Sequence, residues 1–186
     1  MPRLFESFDE AWAYFLGRDE PLEDFFAGFP AEEFEGEAWV IEPPADVKAA
    51  AAELQRPLAQ FDWLKVVPSH FLHVTLPGAP GVVPAPELEY RRVTCFHDAV
   101  AVEVDAPALK RVYPRKTFLP HLTLAITTRP AESDELRKVV RPLREAYLGG
   151  QKVTEVLRVS FPFSRERLFE PWTVRERVAL RAKPTR

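Results

Sequence analysis

Asparagine is missing from this chain of 186 residues, and cysteine and methionine occur once each. A single cysteine, Cys95, excludes an internal disulfide and a multi-cysteine metal site. Cys95 falls in an apparent strand and reads as an inert core thiol, not a nucleophile. No apolar run is long enough to span a bilayer, and the amino terminus lacks a signal-peptide pattern. A cytoplasmic protein with no membrane partner is the expectation. Glycine occurs seven times, never as a phosphate-binding loop or a dinucleotide fingerprint, which sets aside those two nucleotide-binding chemistries. Three glutamines against 19 prolines fit a heat-adapted source and a GC-rich genome equally.

The length suits one domain, with room for two lobes and a sizeable core. The net charge of −3 is unevenly spread. Residues 1–18 carry −1, and residues 19–37 carry eight acids and no base. The remainder, 38–186, is therefore +6. A basic body suits an anionic substrate, although an ordinary solvated surface gives the same count.

That basic part holds Phe71-Leu72-His73-Val74-Thr75-Leu76 and Pro120-His121-Leu122-Thr123-Leu124-Ala125. Residues i and i+2 of a strand share a face. His73 projects with Thr75, and His121 with Thr123, while Leu72, Val74, Leu76, Leu122, Leu124 and Ile126 take the core side. The chain has four histidines, and two of them sit in this one pattern, in matching phase. A single copy would suit a satisfied core histidine; the repeat points to a paired-imidazole site.

The pair resembles the two His-x-Thr/Ser-hydrophobic signatures of the 2H phosphoesterase superfamily, and within it the bacterial 2′-5′ RNA ligase / RNA 2′,3′-cyclic phosphodiesterase group. Leu64 to Leu72 before the first motif and Phe118-Leu119-Pro120 before the second also fit. The resemblance covers Ala38 to Leu180 in order of elements, with close matching confined to the motifs. It implies a two-lobed fold of antiparallel sheets with flanking helices around a pseudo-twofold groove. It also implies metal-independent chemistry with no cofactor, acting on RNA 3′ ends or small cyclic nucleotides, with a monomer as the expectation. Hydrolysis would open the cyclic phosphate toward the 2′-phosphate, the 3′ oxygen leaving. One departure is plain. Where the family carries a helix after the first motif, this chain has the proline-rich stretch 77–86, and 48 residues separate His73 from His121.

In chain order, Phe5, Phe8, Trp12, Phe15 and Leu16 recur at helical spacing before Gly17, and Leu22, Phe25, Phe26 and Phe29 suggest a second turn. Residues 1–37 form a helical and acidic extension: a packed appendage, a lid or a partner surface. Pro30 to Gly36 read as an acidic linker. A strand over 38–41 precedes a helix from Asp46 to about Gln60, with Pro57 expected to kink or shorten it. Further strands are expected at 65–67, 90–96, 99–104, 153–161 and 172–180, a short helix at 108–112, and a helix from Ser133 to about Leu148 ended by Gly149-Gly150. The order gives an α+β chain of antiparallel sheets in two lobes.

Two imidazoles flanking one bound group, with an ordinary pKa of about 6.5, support a general base and a general acid in one step. The catalytic candidates are His73, Thr75, His121 and Thr123, the hydroxyls donating to non-bridging oxygens. Which imidazole is the base is left open. Substrate-binding candidates are Arg158 and Ser160 on one face of the strand 153–161, Arg115 and Lys116 before the second motif, and Phe118 as a stacking ring. A solvent salt bridge for Arg158 and core packing for Phe118 are the plainer alternatives. His70 and His73, three apart in a strand, face opposite sides and make poor co-ligands, so no metal site is expected. The rival functions are an RNA-binding module without turnover and a phosphoesterase for a non-RNA cyclic phosphate, such as one derived from ADP-ribose. The −9 carried by residues 1–37 suggests a guard against long RNA, which deletion of the segment would relieve.

Overall fold

The computed structural model describes residues 4–80 and 85–180. Ser7 caps the first helix, α1 (Phe8–Gly17), by accepting from the Glu10 amide, with Asp9 and Glu10 in the turn where negative charge is favoured. One 3-10 turn follows at Phe25–Gly28. Then come β1 (Phe34–Ile41), α2 (Ala45–Gln55), β2 (Leu64–Val66), β3 (Val74–Leu76), β4 (Glu87–Cys95), β5 (Ala99–Asp105) and α3 (Pro107–Val112). The chain closes with β6 (His121–Thr127), α4 (Asp134–Val140), β7 (Tyr147–Lys152), β8 (Glu155–Phe163) and β9 (Thr173–Ala179).

All strand pairings given for these elements are antiparallel, and helices flank the sheet, so the chain is α+β. Among the described residues the strands form one sheet in the order β7-β4-β5-β6-β3-β1-β8-β9, with β2 also on β6. The two expected lobes are the two halves of this sheet, and they meet where β3 and β6 pair through Val74 and Leu122. Ile41, Val74 and Leu122 join the main core with Val47 and Ala51 of α2. On the opposite face, Val40, Leu157 and Val159 pack with Phe161 and Trp172.

Several expectations are corrected. The strand expected from 38 begins at Phe34, because Phe34 to Val40 pair continuously with β8, so Pro30 to Gly36 is not simply a linker. Asp46 lies in the first turn of α2, the cap position being Pro44 with no side-chain cap. As expected, Pro57 shortens the helix, which tightens into a 3-10 turn over Arg56–Gln60. The helix expected to reach Leu148 stops at Val140, with Pro142 in a 3-10 turn, and Tyr147 to Lys152 form a strand instead. Gly149 and Gly150 are therefore strand residues. Gly149 has φ +124°, and a Cβ there would meet a Val47 methyl at 3.5 Å. Of the proline-rich stretch, residues 81–84 lie outside the described residues; the rest contains no helix.

The amino-terminal extension is packed into the fold. Phe15 and Leu22 belong to the main core, and Leu22 makes an isolated bridge to Ala131. Phe5, Phe8 and Ala11 pack on Leu119, two residues before the second motif histidine. Among the described residues no helix is long and apolar enough to cross a membrane.

Candidate active site

Strand alternation and one register bring the motif residues together. Val74 sits opposite Leu122, so continuing the antiparallel register places His73 against Thr123 and Thr75 against His121. All four side chains line one cavity of about 330 Å³. The paired strands thus carry the motifs side by side on one floor, not on opposite walls.

Each imidazole is held in the same way. His73 Nδ1 lies 2.6 Å from the Phe71 carbonyl, and His121 Nδ1 lies 2.7 Å from the Leu119 carbonyl, in both cases two residues back. A carbonyl only accepts, so each Nδ1 carries the proton and donates it. Nε2 of each neutral ring is then the free nitrogen. Burial, opposed by the Phe71 carbonyl, lowers the His73 pKa to about 4, with nearby His121 adding to the effect. Burial likewise lowers the His121 pKa, against the pull of the Leu119 carbonyl. With both pKa values lowered, both rings of the free protein are neutral near neutral pH.

A bulge shapes the second motif strand. Val100 pairs with Ala125 but Ala101 with Thr123, leaving Leu124 as an extra residue in β6. The extra residue reverses the alternation, so Ile126 joins His121 and Thr123 at the cavity wall instead of following Leu122. Gln55 pins the bulge: its buried Nε2 donates to the Val67 carbonyl at 2.7 Å and the Leu124 carbonyl at 2.9 Å. Its position four residues after Ala51 and eight after Val47, on the buried stripe of α2, was the signal in the sequence.

The walls are aromatic. Phe71, Phe161, Phe163 and Phe169 line the cavity, joined by Phe25 and Phe29 from the amino-terminal segment. Phe71 and Trp172 meet the His73 ring edge-on, at 5.5 and 5.4 Å between centroids, and Phe96 lies 4.9 Å from His121. His70 Nε2 lies 2.8 Å from the Phe169 carbonyl and so fastens the loop that carries that wall. These rings were not singled out as site residues, because 14 phenylalanines offer no sequence signal that separates wall from core.

The other candidate residues lie elsewhere. Phe161 and Phe163 mark the cavity face of β8, so Arg158 and Ser160, in the alternate phase, face away from it. The expectation that they line the groove is corrected on that ground. Arg158 is paired with Glu37 at 2.7 Å, and Ser160 accepts from Arg175 at 2.8 Å. Phe118 packs on Tyr113. Lys116 is exposed, 3.8 Å from Glu6, and Arg115 is exposed on the same loop. None of these five residues lines the cavity. Cys95 is buried, and burial pushes its thiol pKa up, as befits a core group.

No family model and no curated protein matches the sequence. Solved structures do. The crystal structure of TT0787 from Thermus thermophilus superposes with a TM-score of 0.57 at 20% identity, covering 79% of this chain and 98% of that one. E. coli LigT complexed with ATP gives 0.52 at 16% identity, over 80% of this chain and 99% of LigT. The fold is LigT-like. LigT complexed with 3′-AMP agrees, at 0.51 and 16% identity over 87% and 99% of the two chains. At these identities the likeness establishes the LigT-like arrangement of strands and helices; the chemistry rests on this chain's own residues.

Proposed function

We propose that the protein is a metal-independent phosphodiesterase that opens 2′,3′-cyclic phosphates of RNA ends or nucleotides by paired-histidine acid–base catalysis, with 2′-5′ ligation as the related transfer in which a ribose hydroxyl takes the place of water. The observation that carries this reading is the mirrored histidine pair. Two imidazoles on adjacent strands each spend Nδ1 on a carbonyl and leave Nε2 free, beside two threonines in one cavity. The LigT-like fold and the motif resemblance to 2H phosphoesterases support it, and LigT itself was solved with ATP and with 3′-AMP.

The chemistry follows from the geometry. A bound phosphodiester brings one negative charge into a site where both rings are otherwise neutral, and that charge favours a proton on one Nε2. The neutral ring takes a proton from water as its oxygen bonds to phosphorus. The protonated ring gives its Nε2 proton to the ribose oxygen as the phosphorus–oxygen bond breaks. One water is consumed, one proton enters the base and one leaves the acid. Thr75 and Thr123 donate to the non-bridging oxygens, where charge builds. The side chains act without a metal in this scheme, and Nε2 of each ring is the atom that moves the proton.

The test is hydrolysis of the four nucleoside 2′,3′-cyclic phosphates in excess EDTA, with His73→Ala and His121→Ala alongside. Turnover is expected to survive EDTA and to fall about 10²- to 10⁴-fold in each variant. Folded wild-type protein that binds RNA without turnover would replace this reading with that of a binding module, and loss of activity in EDTA would replace it with a metal mechanism.

A further inference from the structure

A second cavity, of about 260 Å³, adjoins the first, and both are lined by His121 and Thr123. Its other walls include His97 and Asp98 of the β4–β5 turn and Thr117 before the second motif. Phe25 lines both cavities. The groove over the second motif is thus divided, and the ring common to both compartments comes from the amino-terminal segment.

That ring is held by three aromatic neighbours. It packs on Phe26 at 5.3 Å, Phe29 at 5.6 Å and Phe163 at 6.3 Å between centroids. Asp24 caps the Phe25–Gly28 turn by accepting from the Phe26 amide, and pairs with Arg165 at 2.6 Å. The Arg165 guanidinium also lies 4.7 Å over the Phe26 ring and donates to the Thr128 carbonyl. Upstream, the Glu23 amide donates to the His97 carbonyl at 2.8 Å, and Thr127 Oγ1 donates to the Glu23 carbonyl. The turn is fastened at both ends, so Phe25 is a fixed wall.

We propose that Phe25 is the specificity-determining partition of this site and limits it to a mononucleotide-sized cyclic phosphate, excluding the end of an RNA chain. The inference rests on the phosphodiesterase reading above. A phosphate between the two imidazoles leaves its nucleoside the aromatic cavity, whose 330 Å³ lies at the bottom of the range for small-molecule sites. A preceding nucleotide needs a second compartment, and the Phe25 ring forms a wall of both the first and the neighbouring one that shares His121 and Thr123 with it. Its removal joins the two into one longer groove past His121.

The experiment compares kcat/KM for a nucleoside 2′,3′-cyclic phosphate with that for a short oligoribonucleotide ending in the same cyclic nucleotide. Wild type, Phe25→Ala and Phe25→Tyr are assayed as full-length proteins. Wild type is expected to favour the mononucleotide. Phe25→Ala should raise the oligonucleotide-to-mononucleotide ratio at least tenfold, and Phe25→Tyr should keep the wild-type ratio. A purely structural loss lowers both substrates together and leaves the ratio unmoved, which would overturn the partition. Wild type that turns over both substrates equally would also overturn it while leaving the phosphodiesterase reading intact. Wild type that turns over neither would overturn both.

Discussion

At the scale of single residues, the two histidines differ from ordinary surface imidazoles in one respect that sets their pH behaviour. Each is desolvated, and the carbonyl that accepts from Nδ1 only partly offsets the cost of charging the ring. Acid–base catalysis requires one neutral and one protonated ring. With His73 at about 4 and His121 also lowered, the free protein reaches that state in acid and leaves it as pH rises. The profile of kcat/KM, which reports the free enzyme, should therefore peak below about 6.5 and fall up to about tenfold per pH unit on its alkaline side. The profile of kcat should extend to higher pH, because the bound anion holds the proton on the acid. An optimum of kcat/KM above neutrality would contradict these shifts. The pairing of His73 with Thr75 and of His121 with Thr123 was legible, since strand alternation is a local rule. The direction of the pKa shifts was not, since it comes from burial, and the rings that bury His73 include Trp172, far away in sequence.

Among elements, β6 carries the most information about the site. Its Leu124 bulge turns Ile126 toward the cavity, and Gln55 of α2 fills the hydrogen-bonding need the bulge creates. Gln55→Leu keeps the volume and removes both donors. It should cost about 1–3 kcal/mol in a denaturant titration, chiefly by leaving the buried Val67 carbonyl short of a partner. It should also lower activity, because the strand that places His121 and Thr123 loosens. Periodicity located most elements, but it failed at the carboxyl end of α4. There Leu136, Val139, Val140, Leu143 and Tyr147 keep helical spacing. Pro142 removes an amide donor, and Tyr147 is 64% exposed in a strand paired with β4. A long-range strand partner outweighed a local pattern. The glycines that resemble a helix stop are instead strand residues, and Gly149 holds φ +124°, a backbone conformation that side chains other than glycine's rarely adopt.

For the whole molecule, the amino-terminal segment is the feature that the motif resemblance does not cover. Its acids do not form a free tail. Asp24, Glu33, Glu35 and Glu37 pair with Arg165, Arg167, Arg175 and Arg158, and Arg167 pairs with Glu170 as well. Deleting residues 1–37 would remove half of β1 and take Phe15 and Leu22 from the core, so it is a poor test of the charge-guard idea. Neutralising Glu35 and Glu37 to Gln keeps the packing and frees Arg175 and Arg158 of their carboxylate partners, whereas Arg167 would keep Glu170. Exposed pairs of this kind are screened by solvent and contribute little, so stability should change little. RNA affinity at low salt should rise, with the logarithmic salt slope steepening by about 1 for each arginine that reaches a phosphate. Unchanged affinity in a low-salt titration would remove the guard from the account.

The sequence by itself determined the α+β class, the two motif strands and the phase that puts each histidine with its threonine. Those depend on residue type and on periods of 2 and 3.6, which act over a few positions. Tertiary structure alone decided that the motif strands are neighbours and that the cavity lies on the Phe161 and Phe163 face of β8, away from Arg158. It also decided that Phe25 lines both cavities that share His121. Each of these depends on which distant segments share a sheet edge or a core, and hydrophobic burial, being non-directional, leaves that choice to the packing of the whole chain.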